Sequence, residues 1–154
     1  MKISEIMTAA TVTDRPDDTL RAAAQKMHEQ QTGSLLVMDG DDLVGIITER
    51  DILGAVAAGV QVDQARISEV MTKDLITVDP GTSLREAARV MTAKWIRHLP
   101  VVEGGRLVGV ISQRDLAGVL AGALNEPDAL QQLIEASELV RERRLKRIER
   151  GDLD

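Results

Sequence analysis

The chain has 154 residues, enough for one ordinary domain or for two small ones packed together. A hydrophobic fraction of 44%, a charged fraction of 29% and a net charge of −6 indicate a folded protein without a body-wide basic footprint for nucleic acid. With no cysteine, disulfides, iron–sulfur clusters, thiolate zinc sites and cysteine nucleophiles are excluded, and two histidines (His28 and His98) are too few for a histidine-rich metal site.

From the N-terminus, Met1–Met7 is mixed and is not an apolar leader. A short β-prone run, Thr11-Val12-Thr13, is stopped by Pro16. Leu20, Ala23, Ala24 and Met27 follow at helical spacing. Two apolar runs, Leu35–Met38 and Leu43–Ile47, flank the polar turn Asp39-Gly40-Asp41-Asp42, which predicts a hairpin. That turn has three carboxylates but lacks the other ligands of a calcium loop. A second helix is expected to start near Glu49.

The same order then returns 64 residues later without a gap. Ser4-Glu5-Ile6-Met7-Thr8 is matched by Ser68-Glu69-Val70-Met71-Thr72, and Leu20-Arg21 by Leu84-Arg85. Leu43–Thr48 is matched by Leu107–Ser112, and Arg50-Asp51 by Arg114-Asp115. The second copy has a strand at Leu75–Val78, and Ser83-Leu84-Arg85-Glu86 reads as a capping box. Its hairpin runs from Leu99–Val102 through Glu103-Gly104-Gly105-Arg106 to Leu107–Ile111, and a helix begins near Gln113. The expected fold class is therefore α+β: two pseudo-symmetric β-α-β-β-α repeats packed into one module, over 1–60 and 61–124, with a helical tail over 125–154. Two copies leave a cleft between them, where ligands are favoured.

The tail carries Leu130, Leu133, Ile134, Val140, Leu145 and Ile148 at roughly helical intervals. It is basic from Arg141 to Arg150, and a helix packed on its own module or on a dimer mate accounts for it better than a nucleic-acid contact. With one Trp, no Phe and no Tyr, the core is aliphatic and a base-stacking platform is hard to build. Trp95 reads as a packing or dimer-face residue, and His28 as an exposed one. The longest apolar stretch, Leu116–Leu124, falls short of the about 20 residues that span a bilayer, and the expected setting is the cytoplasm.

The sharpest signal is the junction between the hairpin and its following helix, Gly45-Ile46-Ile47-Thr48-Glu49-Arg50-Asp51 and Gly109-Val110-Ile111-Ser112-Gln113-Arg114-Asp115. Glycine lets a ligand or another backbone come close. Thr48 or Ser112 at a helix N-cap offers a hydroxyl beside free N–H groups, where an anion is welcome. Asp51 or Asp115 can accept hydrogen bonds from the vicinal hydroxyls of a ribose. The same spacing also reads as plain helix capping, with the glycines serving packing.

The Met-Thr opening followed by strand, Pro and Leu, the Leu-Pro-Val-Val run at Leu99–Val102 and the Gly-x-x-Thr/Ser-x-x-Arg-Asp close, each in order and most of them twice, resemble the cystathionine β-synthase (CBS) domain. The tandem resembles a CBS pair, or Bateman module, over about Lys2 to Leu124. The resemblance implies a stand-alone regulatory module, not an enzyme, with no obligatory cofactor and no metal. Its implied ligand is AMP, ADP or ATP, or else S-adenosylmethionine or a dinucleotide such as NAD. It implies a disk-shaped homodimer and a regulated partner protein as well. By the same resemblance Asp51 and Asp115 hold ribose hydroxyls, Thr48 and Ser112 lie near ribose and phosphate, and the neighbourhood of Thr13 and Thr77 flanks the adenine. Arg97 and His98, just before the second hairpin, reach the phosphates, with Arg50 and Arg114 as further phosphate candidates. The first copy has Gly33 and Ser34 in place of Arg97 and His98, so the Asp115 site is expected to suit a charged phosphate chain better. The alternative is a dimerisation scaffold with vestigial slots, joined through the small residues of its helices, such as Ala55, Ala57, Ala117, Gly118 and Gly122.

Overall fold

The computed structural model describes residues 1–9 and 12–123, together with Glu138, Glu142, Leu145 and Lys146. Thr11, at the start of the first expected strand, and most of the tail expected over 125–154 lie outside the described residues.

The fold is α+β, and the two halves follow one plan. In the first, β1 (Thr13–Asp14) leads to α1 (Leu20–Gln30), then to the hairpin of β2 (Ser34–Asp39) and β3 (Asp42–Thr48), then to α2 (Glu49–Ala57). A short helix, α3 (Ile67–Val70), opens the second half, where the first opens with a 3-10 turn at Ile3–Glu5. There follow α4 (Leu84–Lys94), β4 (His98–Glu103), β5 (Arg106–Ser112) and α5 (Gln113–Ala123).

Local chemistry explains these elements. Thr19 and Ser83 cap α1 and α4, each accepting a hydrogen bond from the third N–H of its helix at 3.2 Å. Only half of the expected capping box forms at Ser83, because the Glu86 carboxylate turns to Arg89 at 3.5 Å and does not reach back. The hairpins turn at positive φ. Gly40 has φ +60°, while Gly104 and Gly105 have +56° and +78°, as a type I′ turn requires. Asp39–Asp42 is thus a hairpin turn. Each hairpin carries one register shift, between Val37 and Met38 and between Val101 and Val102.

β1 pairs in parallel with β2 through Thr13–Leu36 and Asp14–Val37. The strand expected over Leu75–Val78 shrinks to a single bridge. Val78 N–H donates to the Pro100 carbonyl at 3.1 Å, and Val102 N–H donates to the Val78 carbonyl at 2.9 Å. The chain before Val78 is occupied in crossing from one half to the other, since Thr72 is still paired with Ile46 of the first half.

That crossing is reciprocal. Ile67, from the start of the second repeat, is fully buried in the first core with Leu20, Met27, Leu35, Val37 and Ile47. Ile3, its equivalent, is fully buried in the second core with Met91, Leu99, Val101 and Ile111. The backbones are tied in the same sense. Thr8 and Val110 exchange hydrogen bonds at 3.0 and 3.1 Å, and Thr72 and Ile46 do so at 2.9 and 3.0 Å. Each repeat thus lends its opening segment to the other's core.

This exchange explains the two glycines. A Cβ at Gly109 would lie 2.9 Å from the Thr8 carbonyl oxygen and 2.8 Å from Met7 Sδ. At Gly45 it would overlap Met71 Sδ and lie 3.1 Å from the Thr72 carbonyl oxygen. The Met-Thr segment of one repeat lies on the glycine of the other, so the close approach is made by that segment's methionine side chain and threonine carbonyl. Among the described residues, no helix is long and apolar enough to cross a membrane.

Candidate functional site

Side chains alternate along the hairpin strands, so one face fills a core and the other faces the opposite repeat. Leu35 and Val37 fill the first core and Leu99 and Val101 the second. Leu36 and Pro100, between them, line two clefts at the seam of the repeats. The clefts measure about 780 and 740 Å³, within the roughly 300–1,000 Å³ range of small-molecule sites.

The first is the Asp115 cleft. It gathers Ser112, Arg114 and Asp115 with Arg97 and His98, against Val12, Ser34 and Leu36 of the first repeat. The second, the Asp51 cleft, gathers Thr48, Arg50 and Asp51 against Ile76, Trp95 and Pro100 of the second repeat. Each is therefore built from both copies. Arg97 and His98 border both clefts, and Lys94 adds a cation to the Asp51 cleft.

Eight of the ten site residues expected from the sequence line a cleft: Asp51, Asp115, Thr48, Ser112, Arg97, His98, Arg50 and Arg114. Thr13 and Thr77 do not. Their neighbours Val12 and Ile76 take those places, because adjacent residues of an extended chain face opposite ways. Thr77 is exposed, and the Thr13 carbonyl accepts from Lys26 Nζ at 3.0 Å. His28, exposed as expected, borders the Asp115 cleft, and Trp95 is a cleft-wall residue. Trp95 sits at the left-handed residue that ends α4 (φ +57°), a position no helix or strand pattern marks.

The two aspartates have the same geometry. Asp51 Oδ2 accepts from Thr48 N–H at 2.8 Å and from Thr48 Oγ1 at 3.0 Å, and Asp51 N–H donates back to Oγ1 at 3.3 Å. Asp115 Oδ2 accepts from Ser112 N–H and Oγ, both at 2.7 Å, and Asp115 N–H donates to Ser112 Oγ at 3.3 Å. Both are complete capping boxes. The cap uses Oδ2 only, so Oδ1 remains for another donor, and the capping and ligand readings are compatible. Both carboxylates are half-buried and rigidly held beside a helix N-terminus.

His98 is the perturbed base of the site. Burial pushes its imidazole below the ordinary value of 6.5, and the charges of Arg97 and Arg114 add to this while Glu49 and Asp115 oppose it. Arg97 Nη2 donates to Glu49 Oε1 at 3.0 Å, an ion pair that the sequence pattern did not indicate. Among the described residues, no group of three or more His, Asp or Glu comes together to hold a metal ion.

Comparison with known proteins places this architecture. The model of the CBS domain matches residues 3–58 and again residues 67–122. An uncharacterised 17.7 kDa protein of Acidianus ambivalens is 40% identical over 121 residues, which is 77% of this chain and 73% of its own length. A solved CBS-domain protein from Burkholderia ambifaria is 35% identical with a TM-score of 0.76, over 78% of this chain and 93% of that one. The CBS domain pair of protein MJ0100, solved in complex with 5′-methylthioadenosine and S-adenosyl-L-methionine, is 26% identical with a TM-score of 0.74, over 80% of this chain and 98% of that one. The chain belongs to the CBS domain family, as a tandem CBS pair, a regulatory module.

Proposed function

We propose that this CBS pair is a non-catalytic sensor that binds an adenosyl ligand in the Asp51 and Asp115 clefts and passes the binding on to a partner protein. The observation that carries the reading is the duplicated aspartate, with Oδ2 fixed by a cap and Oδ1 left over, in a cleft of nucleoside size. The MJ0100 complex with 5′-methylthioadenosine and S-adenosyl-L-methionine supports the ligand class. AMP, ADP and ATP are the first candidates, followed by S-adenosylmethionine and NAD.

In this reading the ribose hydroxyls donate to Asp51 or Asp115. Val12 with Leu36, or Ile76 with Pro100, supply the apolar walls for adenine. Thr48 and Ser112 lie between ribose and phosphate. Arg97, His98 and Arg114 border the Asp115 cleft, and Arg50, Lys94 and Arg97 border the Asp51 cleft, available to a phosphate. Because both walls of a cleft come from different repeats, a ligand ties the repeats together. It signals by binding one arrangement more tightly than another.

The regulated unit is proposed to be a homodimer. Leu53 and Val56 on α2 and Leu120 on α5 are 69%, 56% and 47% exposed, with Val56 and Leu120 at equivalent positions. Among the described residues, a Cβ at Gly54, Gly118 or Gly122 would meet nothing within 4 Å, and these helix faces offer room for a close neighbour. The complete capping boxes also favour a second reading, a dimerisation scaffold in which both aspartates serve only as caps.

A melting-temperature screen separates the two. A ligand at a hundred times its Kd stabilises by about 2.7 kcal/mol. One or more of AMP, ADP, ATP, S-adenosylmethionine and NAD at millimolar concentration is expected to raise Tm by several degrees. No shift with all five supports the scaffold.

A further inference from the structure

One of the breaks in the pseudo-symmetry of the cleft walls is a pair of charged side chains. Arg97 stands where the first repeat has Gly33, and Glu49 where the second has Gln113. The backbones at these positions match. The Gly33 carbonyl accepts from Glu49 N–H at 3.0 Å, and the Arg97 carbonyl accepts from Gln113 N–H at 2.9 Å. The side chains do not match. Arg97 and Glu49 form an ion pair at 3.0 Å that joins the first turn of α2 to the start of β4. Gly33 seats the carboxylate, since a Cβ there would lie 3.3 Å from Glu49 Cδ and Oε2.

Glu49 borders the Asp115 cleft and not the Asp51 cleft, while Arg97 borders both. A phosphoryl group entering the Asp115 cleft meets the arginine best placed for it already paired with a carboxylate. It must share Arg97 with Glu49, whose carboxylate holds the Nη2 group, and it then lies beside that negative charge. In the Asp51 cleft Arg50, Lys94 and Arg97 face Asp51 and Asp74, and among the described residues no carboxylate of that cleft pairs with Arg97.

We propose that Glu49 is the charge gate of the Asp115 cleft, holding Arg97 and weighting that cleft against phosphorylated adenosyl ligands in favour of those with a neutral or cationic 5′ substituent. Phosphorylated ligands are thereby directed to the Asp51 cleft, the reverse of the expectation drawn from the positions of Arg97 and His98 in the sequence. The inference rests on the sensor reading and adds to it a ligand class for each cleft. Arg97 and Glu49 are 46% and 60% exposed, so their pairing is of the surface kind and the gate is worth at most about fivefold in affinity.

The test is calorimetric titration with adenosine, AMP and ATP, without magnesium. An Asp51→Asn background keeps the α2 cap but weakens the Asp51 cleft. Adding Glu49→Gln is expected to leave adenosine affinity within about twofold, while tightening AMP about twofold and ATP about fivefold. In a further Arg97→Gln background the gain is expected to vanish. An equal change for adenosine and ATP, or nucleotide binding that Glu49→Gln leaves unaltered, overturns the gate and spares the sensor. Failure of all three ligands to bind any of the variants and the native chain overturns both.

Discussion

At two equivalent positions the repeats make opposite choices. The first buries Asp14, 4% exposed, against Lys26, with Nζ 3.0 Å from Oδ1. The second has Val78 and Val90 at these places, packed on its core. The same scaffold accepts a charged pair or an apolar pair, so the pair is not what specifies the fold. It is also incompletely satisfied, since Asp14 Oδ2 is buried without a partner among the described residues. Burial raises the Asp14 carboxyl above its usual 3.8, and the neighbouring Asp18 carboxyl adds to this, while Lys26 and the Arg15 N–H oppose it. Asp18 is lowered, chiefly by its interaction with the Asp14 carboxyl. Buried ion pairs often do no better than the apolar residues that could replace them.

The largest expected effect comes from the exchanged segments, where each glycine meets a methionine side chain and a threonine carbonyl but the carbonyl lies nearer at Gly109 than at Gly45. Gly109→Ala sets a methyl against the Thr8 backbone and is expected to destabilise by about 3 kcal/mol, with Gly45→Ala nearer 1–2 kcal/mol. Met71→Ala in the Gly45→Ala background is expected to recover part of the loss, because there the flexible side chain overlaps the methyl far more than the Thr72 carbonyl oxygen does, whereas at Gly109 the Thr8 oxygen is almost as near as Met7 Sδ. Met7→Ala is expected to recover little at Gly109→Ala. Urea denaturation of the five chains checks this order, and equal rescue at both sites contradicts it.

The buried pair is the next lever. Lys26→Val alone is expected to cost about 2 kcal/mol, since it strands Asp14, while Asp14→Val with Lys26→Val is expected to be neutral or stabilising. The pH dependence has a definite sign. A carboxyl raised in the folded state contributes stability that is full below pH 3.8 and is lost as pH rises through its folded value. The double variant lacks that loss, so its stability relative to the native chain is expected to climb over the units above pH 3.8. Parallel pH–stability curves contradict the account.

Smaller effects follow at the helix ends. Asp51→Ala and Asp115→Ala each remove half of a capping box and are expected to cost about 1 kcal/mol, nearly equal in the two repeats. Gln31, at φ +52°, is the non-glycine counterpart of Trp95 in ending its helix. Gln31→Gly is expected to gain about 0.5 kcal/mol by relieving the left-handed strain. Thermal unfolding of these variants checks both.

Periodicity made the helices and hairpins legible, because a repeated apolar pattern reports which face is buried. It did not show which core each face joins. Ile3 and Ile67 read as ordinary apolar residues, and only the folded chain shows them exchanged. The spacing of Asp51 and Asp115 was legible because capping and hydroxyl recognition need the same residues. The one-residue difference between Thr13 and Val12 was not, since strand facing depends on pairing with β2. The Glu49–Arg97 contact lay beyond reach because it joins positions far apart in the chain.

The central claim is that each cleft is an adenosyl site centred on its aspartate. Its most direct test is the stoichiometry of binding by calorimetry for the native chain, Asp51→Asn and Asp115→Asn, using whichever of AMP, ADP, ATP, S-adenosylmethionine and NAD binds. The account predicts saturable binding, with each variant losing the site of its own cleft and keeping its fold. Binding that survives unchanged in both variants, or no heat with any of the five ligands, contradicts it.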